Sequence, residues 1–264
     1  MPAQRLLALA ASVAVIAVLG GATPAPAVPG RPAVSPVPGP PPTRPTGALA
    51  THQRFAEHDS ANWAGYMASG DPGAFTRVQA RWTQPAVTCT GTERQSSSFW
   101  VGLSDPGVIE QTGTTAICEN GRPRYDVWYE MYPALPVEYN DPLEPGDELF
   151  ARVEYLGGNS YELTLRNLTK KWAEVSYAEP PAGTVPMRTR AEVIAEAPGK
   201  PDGSQWPLAD FGTVSFTRAR VNGAPLGTFS PDEFIMVTAD DHDKAAPSEL
   251  SDDGTAFDVT WKHS

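Results

Sequence analysis

After residue 59 apolar and polar positions alternate with a period of two, and the 3.6-residue period of a helix is scarce. Successive side chains of a strand point to opposite faces of a sheet, so this alternation predicts half-buried strands. Twelve runs carry it: residues 61–68, 75–83, 97–102, 109–114, 125–132, 148–155, 161–167, 171–178, 189–195, 213–219, 234–239 and 256–261. Clusters of Gly, Pro, Asn and Asp separate them, such as Gly70-Asp71-Pro72-Gly73, Pro145-Gly146-Asp147 and Gly157-Gly158-Asn159, which supply the backbone conformations of tight turns. A dozen short strands punctuated in this way predict an all-β sandwich or jelly roll.

Two runs have an unusual second face. In 125–132, Tyr125, Val127, Tyr129 and Met131 share one side, which reads as core. Asp126, Trp128, Glu130 and Tyr132 share the other, too aromatic for a solvent face and too acidic for a core. Such a face suits the lining of a groove for a polymer; taken alone, an ordinary surface strand with a half-buried Trp fits it equally. In 191–196, Glu192, Ile194 and Glu196 fall on one side, Val193 and Ala195 on the other. Paired glutamates are unexpected in a strand, where Glu is disfavoured. The run 109–114 brings an amide, Gln111, to a strand end.

The chain before residue 59 is different material. A basic start (Met1 to Arg5), an apolar stretch from Leu6 to Leu19 and the small-residue sequence Ala25-Pro26-Ala27 predict a secretory signal peptide over 1–27; the apolar stretch is short for a membrane span. Residues 28–58 follow as a linker or propeptide, with eight prolines between Val28 and Ala50, a composition that cannot bury a core. The β domain is expected over 59–264. It is strongly acidic: all 31 acidic residues lie after Ala50 with 17 of the 20 basic ones, a balance of −14. Nucleic acid and anionic membrane surfaces are poor partners for such a domain, and carboxylates that neutralise only near pH 4 suit an acidic medium. The two cysteines, Cys89 and Cys118, are expected to form one disulfide in an exported chain, joining the loop before Phe99 to a loop after Gly113.

Most familiar catalytic constellations are absent. There is no Gly-rich phosphate loop and no Gly-x-Ser-x-Gly elbow. His52, His58, His242 and His263 fall in expected linker, loop or tail, without the spacing of a zinc site. The acidic stretches at 240–243 and 252–253 read as solvated turns before they read as calcium loops. Carboxylates and amides remain.

Several segments together resemble the glutamic peptidases, or eqolisins. They are Ser60-Ala61-Asn62-Trp63-Ala64-Gly65, Phe99-Trp100-Val101-Gly102, Glu110-Gln111-Thr112-Gly113, the run from Tyr125 to Pro133, Ala191-Glu192-Val193-Ile194-Ala195-Glu196, and Pro207-Leu208-Ala209-Asp210-Phe211-Gly212-Thr213-Val214. The resemblance covers about residues 60–220, and the last forty residues match weakly. It implies a two-sheet antiparallel β-sandwich of the concanavalin A-like lectin and glucanase type, with a catalytic Gln–Glu pair on the concave face. By motif these are Gln111 and Glu196, the second glutamate of its run, and Trp63, Trp128, Glu130 and Tyr132 line the substrate cleft. The implied activity is that of a secreted, monomeric, pepstatin-insensitive acid endopeptidase acting on polypeptides, with no cofactor and no metal. Ala197-Pro198 stands where the fungal enzymes continue with Asp and an aromatic residue, which leaves side-chain preference open. Two other classes remain on the residues alone: a glycoside hydrolase, which needs paired carboxylates, and a non-catalytic carbohydrate- or peptide-binding sandwich. Gln111 argues against the first and Glu196 against the second.

Overall fold

The computed structural model describes residues 57–200 and 202–264. The expected signal peptide and the expected linker up to residue 56 lie outside the described residues. Sixteen strands run through the rest: β1 (Glu57–Ser60), β2 (Trp63–Ser69), β3 (Arg77–Thr83), β4 (Gln95–Asp105), β5 (Val108–Glu119), β6 (Arg122–Tyr132), β7 (Val137–Tyr139), β8 (Glu148–Gly157), β9 (Ser160–Asn167), β10 (Trp172–Ala178), β11 (Arg190–Glu196), β12 (Thr213–Val221), β13 (Ala224–Pro225), β14 (Asp232–Val237), β15 (Asp243–Pro247) and β16 (Phe257–Trp261). All twelve predicted runs are strands. The four not predicted are short: β1, β7, β13 and β15. Strand β1 begins inside the stretch expected to be linker, and it carries His58, whose ring packs on Phe234 at 5.5 Å.

The strands hydrogen-bond along one path, β10-β9-β8-β3-β12-β16-β15-β14-β2-β11-β4-β5-β6-β7. The path doubles back on itself. Strands β8 and β9 pack on β4 and β5, and β3 and β12 pack on β11, which gives the two layers of a sandwich. Pairing is antiparallel except for β1, which runs parallel to β14.

Period-two alternation builds the core. Phe99, Val101 and Leu103 of β4, Val127 and Met131 of β6, and Ala191, Val193 and Ala195 of β11 are buried against Leu149 and Val153 of β8 and Leu163 and Leu165 of β9. Tyr125 and Tyr129 pack on the same cluster. The opposite side chains of these front-layer strands form a second, smaller cluster of Trp63, Trp100, Ile109, Trp128 and Ile194, with Tyr132 against it. The face read as a groove lining is therefore separate from the core.

Cys89 and Cys118 are bonded, as expected. Cys118 lies within β5, opposite Gln95 of β4, and not in a loop; the strand runs on to Glu119 because its partners β4 and β6 continue beside it. The bond ties the segment before β4 to the far end of β5. Closing a loop of this length contributes roughly 3–4 kcal/mol through the unfolded chain.

Gly113 is where the two front strands need a missing side chain. It sits opposite Trp100, and a Cβ there would lie 2.2 Å from the Phe99 carbonyl and 2.6 Å from Trp100 Cβ. Both are far inside van der Waals contact, and neither is a flexible chain end. Gly113→Ala should therefore lower stability by roughly 1–3 kcal/mol or more, read as a fall in Tm and in the denaturant midpoint. An unchanged Tm would contradict the packing of Trp100 over this strand.

Candidate active site

Cross-strand register arranges the front face in rows. Across β11, β4, β5 and β6, one row reads Glu192, Gly102, Gln111, Glu130. The next reads Ile194, Trp100, Gly113, Trp128, and the third Glu196, Ser98, Thr115, Asp126. Strand β2 extends the three rows with Met67, Gly65 and Trp63. Glycines at Gly102 and Gly113 leave room for Trp100, and Gly65 for the close approach of β11 at Val193 and Ile194; indoles dominate the middle row. Trp63 meets Trp100 edge-on, with ring centroids 5.4 Å apart.

The carboxyl of Glu196 is held by two donors. Trp100 Nε1 donates to its Oε2 at 2.7 Å and Asn62 Nδ2 to its Oε1 at 3.1 Å. The Trp63 indole stands beside it and also favours its ionised form. Asn62 is placed by a local device: Ser60 Oγ accepts from the Trp63 amide at 3.0 Å, and the Asn62 carbonyl accepts from the Ala197 amide at 2.8 Å. The bend between β1 and β2 is thereby pinned to the end of β11.

Gln111 is held from β6. Its Nε2 donates to Glu130 Oε2 at 2.6 Å, between residues that face each other directly in the ladder. This bond orients the amide, leaving one N–H and the carbonyl oxygen to act on something else; Gln111 Oε1 has no hydrogen-bond partner among the described residues. On the other side of the indoles, Trp128 Nε1 donates to Thr115 Oγ1 at 2.8 Å, and Thr115 and Ser98 hydroxyls are 2.8 Å apart. Gln111, Glu130 and Glu196 are all 0 % exposed, so they lie beneath the aromatic cluster and not at an open surface. A pocket on the far side of Trp128 is lined by Thr115, Ile117, Asp126, Trp128, Pro136 and Glu138, and by none of these three residues.

Burial sets the electrostatics. It pushes the Glu196 carboxyl up to about 8, against the pull of Trp100, Trp63 and Asn62. Burial pushes Glu130 up further, to about 9, with the negative charge of Glu196 adding to it and the Gln111 amide opposing it. Glu196 therefore ionises first and Glu130 second. Glu192, hydrogen-bonded by Ser104 Oγ, is raised to about 8, again mainly by burial. Glu110 faces the interior on the reverse of β5 and is raised to about 9 by burial, with Asp105 and Glu192 adding and Arg188 opposing.

Gln111, Glu196, Trp63, Trp128, Glu130 and Tyr132, singled out from the sequence, share one face; Glu130 is bonded to Gln111, whereas Glu196 lies two strands and two rows from Gln111, in whose own row Glu192 stands. Two partners of Glu196, Asn62 and Trp100, had no role assigned beforehand, although both stand in quoted segments. Trp100 shares the even-numbered face of β4 with Ser98, a signal the alternation carried. The acidic stretches form closed turns, with Thr238 Oγ1 donating to Asp240 and Ser251 Oγ and Thr255 Oγ1 to Asp253. Among the described residues no group of three or more His, Cys, Asp or Glu is placed to hold a metal ion.

The sequence profile of the peptidase A4 family matches residues 61–261. The chain belongs to that family, the glutamic peptidases. It is 30% identical to aspergillopepsin-2 of Aspergillus niger over 230 residues, 78% of this chain and 79% of that protein. Among solved structures, aspergilloglutamic peptidase from Aspergillus niger superposes with a TM-score of 0.54 at 29% identity, over 64% of this chain and 99% of the other. Scytalido-glutamic peptidase with a transition state analog inhibitor superposes with a TM-score of 0.67 at 24% identity, over 76% and 98% of the two chains; that likeness speaks to the fold. The match reaches Trp261 and so takes in the C-terminal strands, which had shown little resemblance. In this glutamic peptidase β14, β15 and β16 carry the sheet from one layer to the other.

Four buried carboxyls raised in this way fix the direction of the pH dependence. A group whose folded pKa lies above its unfolded value of about 4.5 contributes stability that is full below that value and is lost as pH rises through the folded one. The Tm should therefore be highest near pH 4 and fall continuously toward pH 8–9, and Glu110→Gln should flatten part of that fall. Thermal unfolding across this range checks it; a Tm that rises from pH 4 to 8 would contradict the burial of these groups.

Proposed function

We propose that this chain is an exported, acid-acting, monomeric endopeptidase that hydrolyses polypeptides by direct attack of water, with Glu196 as general base and Gln111 as oxyanion stabiliser. The observation that carries it is the pair of donors, Trp100 and Asn62, aimed at the two oxygens of Glu196. Donors favour an ionised carboxylate over a protonated one. Glu192 has a hydroxyl in their place, although the register sets it in one row with Gln111.

In this mechanism an extended peptide lies across the indoles of Trp63 and Trp128, with Tyr132 at the rim. Glu196 takes a proton from water while the water oxygen attacks the scissile carbonyl carbon. The oxyanion forms against an N–H of Gln111, whose carbonyl oxygen holds the attacking water. The C–N bond then breaks and Glu196 passes its proton to the leaving amine. General-base help of this kind contributes roughly 10²–10⁴-fold, and loss of one oxyanion donor costs roughly 10²–10³-fold.

Glu130 acts on Gln111 and on the charge of the site. The active form has Glu196 ionised and Glu130 protonated, so the rate is bell-shaped in pH. Burial sets both groups well above pH 3–4 in the free protein, so activity in acid requires the Glu196 carboxyl to ionise more readily in the working complex than it does there. Pepstatin and metal chelators leave such a reaction untouched, since it uses neither an aspartate pair nor a metal.

Gln111→Ala and Glu196→Gln should each lower kcat on a denatured protein substrate at pH 3–4 by at least about 10²-fold with Tm little changed. Glu192→Gln should do less. Near-wild-type turnover in Glu196→Gln would move the base to Glu192 or Glu130. Glu130→Gln, which keeps an acceptor for Gln111, should retain activity and lose the alkaline limb of the pH–rate profile. An unchanged alkaline limb would remove Glu130 from the pair.

A further inference from the structure

The alternation of the C-terminal strands breaks at Lys244. Asp243 is exposed, and Lys244 and Ala245 are buried in succession. Strand β15 pairs Ala245 with Met236 and Asp243 with Val237, two steps of its own against a single step of β14. Lys244 is therefore the extra residue of a β-bulge, a device that re-aims a side chain. Its carbonyl accepts from the Lys262 and His263 amides at 2.8 and 3.3 Å. Its side chain turns inward: the residue is 9 % exposed, and Nζ donates to the Ala61 carbonyl at 3.3 Å. No carboxylate pairs with it among the described residues. Burying an ammonium against one neutral oxygen is unfavourable, so stability alone does not account for a lysine here.

Ala61 belongs to the bend between β1 and β2. Ser60 and Ala245 both pair with Met236 of β14, which sets the bend beside the bulge. The bend is gripped at two successive carbonyls. Lys244 holds that of Ala61, and the Ala197 amide, at the end of β11, holds that of Asn62 at 2.8 Å. The peptide unit joining Ala61 to Asn62 is planar, so fixing its oxygen fixes the direction from which Asn62 starts. From there Asn62 Nδ2 reaches Glu196 Oε1 at 3.1 Å.

We propose that Lys244 is a positioning residue for the base: by holding the Ala61 carbonyl it keeps Asn62 aimed at Glu196. This deepens the peptidase reading and rests on it. Lys244 acts through one peptide unit and one amide, not on the reacting atoms. Three other groups act on Glu196: Trp100 Nε1 on its second oxygen, the Trp63 indole beside it and the charge of Glu130. None of them is bonded to Lys244, whose side chain is spent on Ala61. A donor that meets a carboxylate favours its ionised form. Loosening Asn62 therefore moves the ionisation of Glu196 to higher pH and, with Glu196 as base, removes activity from the acid limb of the pH–rate profile.

Titration of the Glu196 carboxyl, followed by NMR of the full chain labelled at its glutamate carboxyl carbons, tests this; the resonance is assigned by its loss in Glu196→Gln. In Lys244→Met the midpoint should rise by about half a unit, and in Asn62→Ala by about one unit or more. Adding Lys244→Met to Asn62→Ala should move it by less than about 0.2 unit further, because the amide that Lys244 aims is already gone. At pH 3–4 kcat should follow, down about threefold in Lys244→Met and about tenfold in Asn62→Ala, with KM for a peptide within about twofold. Lys244→Gln, one bond shorter, takes the place of Lys244→Met with the same expectation if the latter does not fold. An unmoved midpoint, or additive shifts in the double variant, overturns the hold of Lys244 on Asn62. A shifted midpoint with unchanged kcat overturns its part in the reaction. The expected shifts in a chain that cleaves no peptide would instead sink the peptidase reading and leave that hold standing.

Discussion

The register of β5 against β6 is the constraint on which the site depends. It sets Gln111 opposite Glu130, Gly113 opposite Trp128 and Thr115 opposite Asp126. Because side chains alternate with a period of two, a slip of one residue would turn Gln111 into the core and Glu110 onto the cleft. The pairing holds over eleven residues, and Val127 and Met131 are buried on the core side of it. The disulfide at the end of β5 and the close approach of Gly113 to Trp100 fix the same register from β4. A hydrogen bond between two directly facing side chains then costs little additional ordering.

That placement comes with an electrostatic strain. Four carboxyls are fully buried on three strands of one layer; neutral donors meet both oxygens of Glu196 and one each of Glu130 and Glu192, and the other four oxygens have no hydrogen-bond partner among the described residues. Burial disfavours their charge, so the fold is most stable at a pH where they are protonated. The same burial separates Glu196 from Glu130. One is surrounded by indole and amide donors; the other ionises against a charge already present. Two chemically identical groups thus meet different surroundings.

Most of the architecture was legible in the sequence because alternation is a local property. Every run of six or more alternating residues became a strand, and the unusual second faces of 125–132 and 191–196 lie on one face of the front layer. The short strands escaped because β7 and β15 are too brief to show a period, and β1 lies at a boundary where composition had suggested a linker. The parallel pairing of β1 with β14 joins segments about 170 residues apart, which no local pattern encodes. Residue types announced Gln111 and Glu196 only through the resemblance. Asn62 and Trp100 stayed without a role because their work, donating to a carboxylate on another strand, exists only once β2, β4 and β11 are side by side.

The most direct test of the paired action of Gln111 and Glu196 is a crystal structure with a peptide inhibitor that carries a tetrahedral hydroxyl-bearing carbon in place of the scissile carbonyl. The hydroxyl should lie within hydrogen-bond reach, about 2.6–3.2 Å, of both the Gln111 amide and the Glu196 carboxylate, with the peptide extended across Trp63 and Trp128. A tetrahedral centre seated against Glu192 and Ser104, or a ligand bound away from this face, would contradict it.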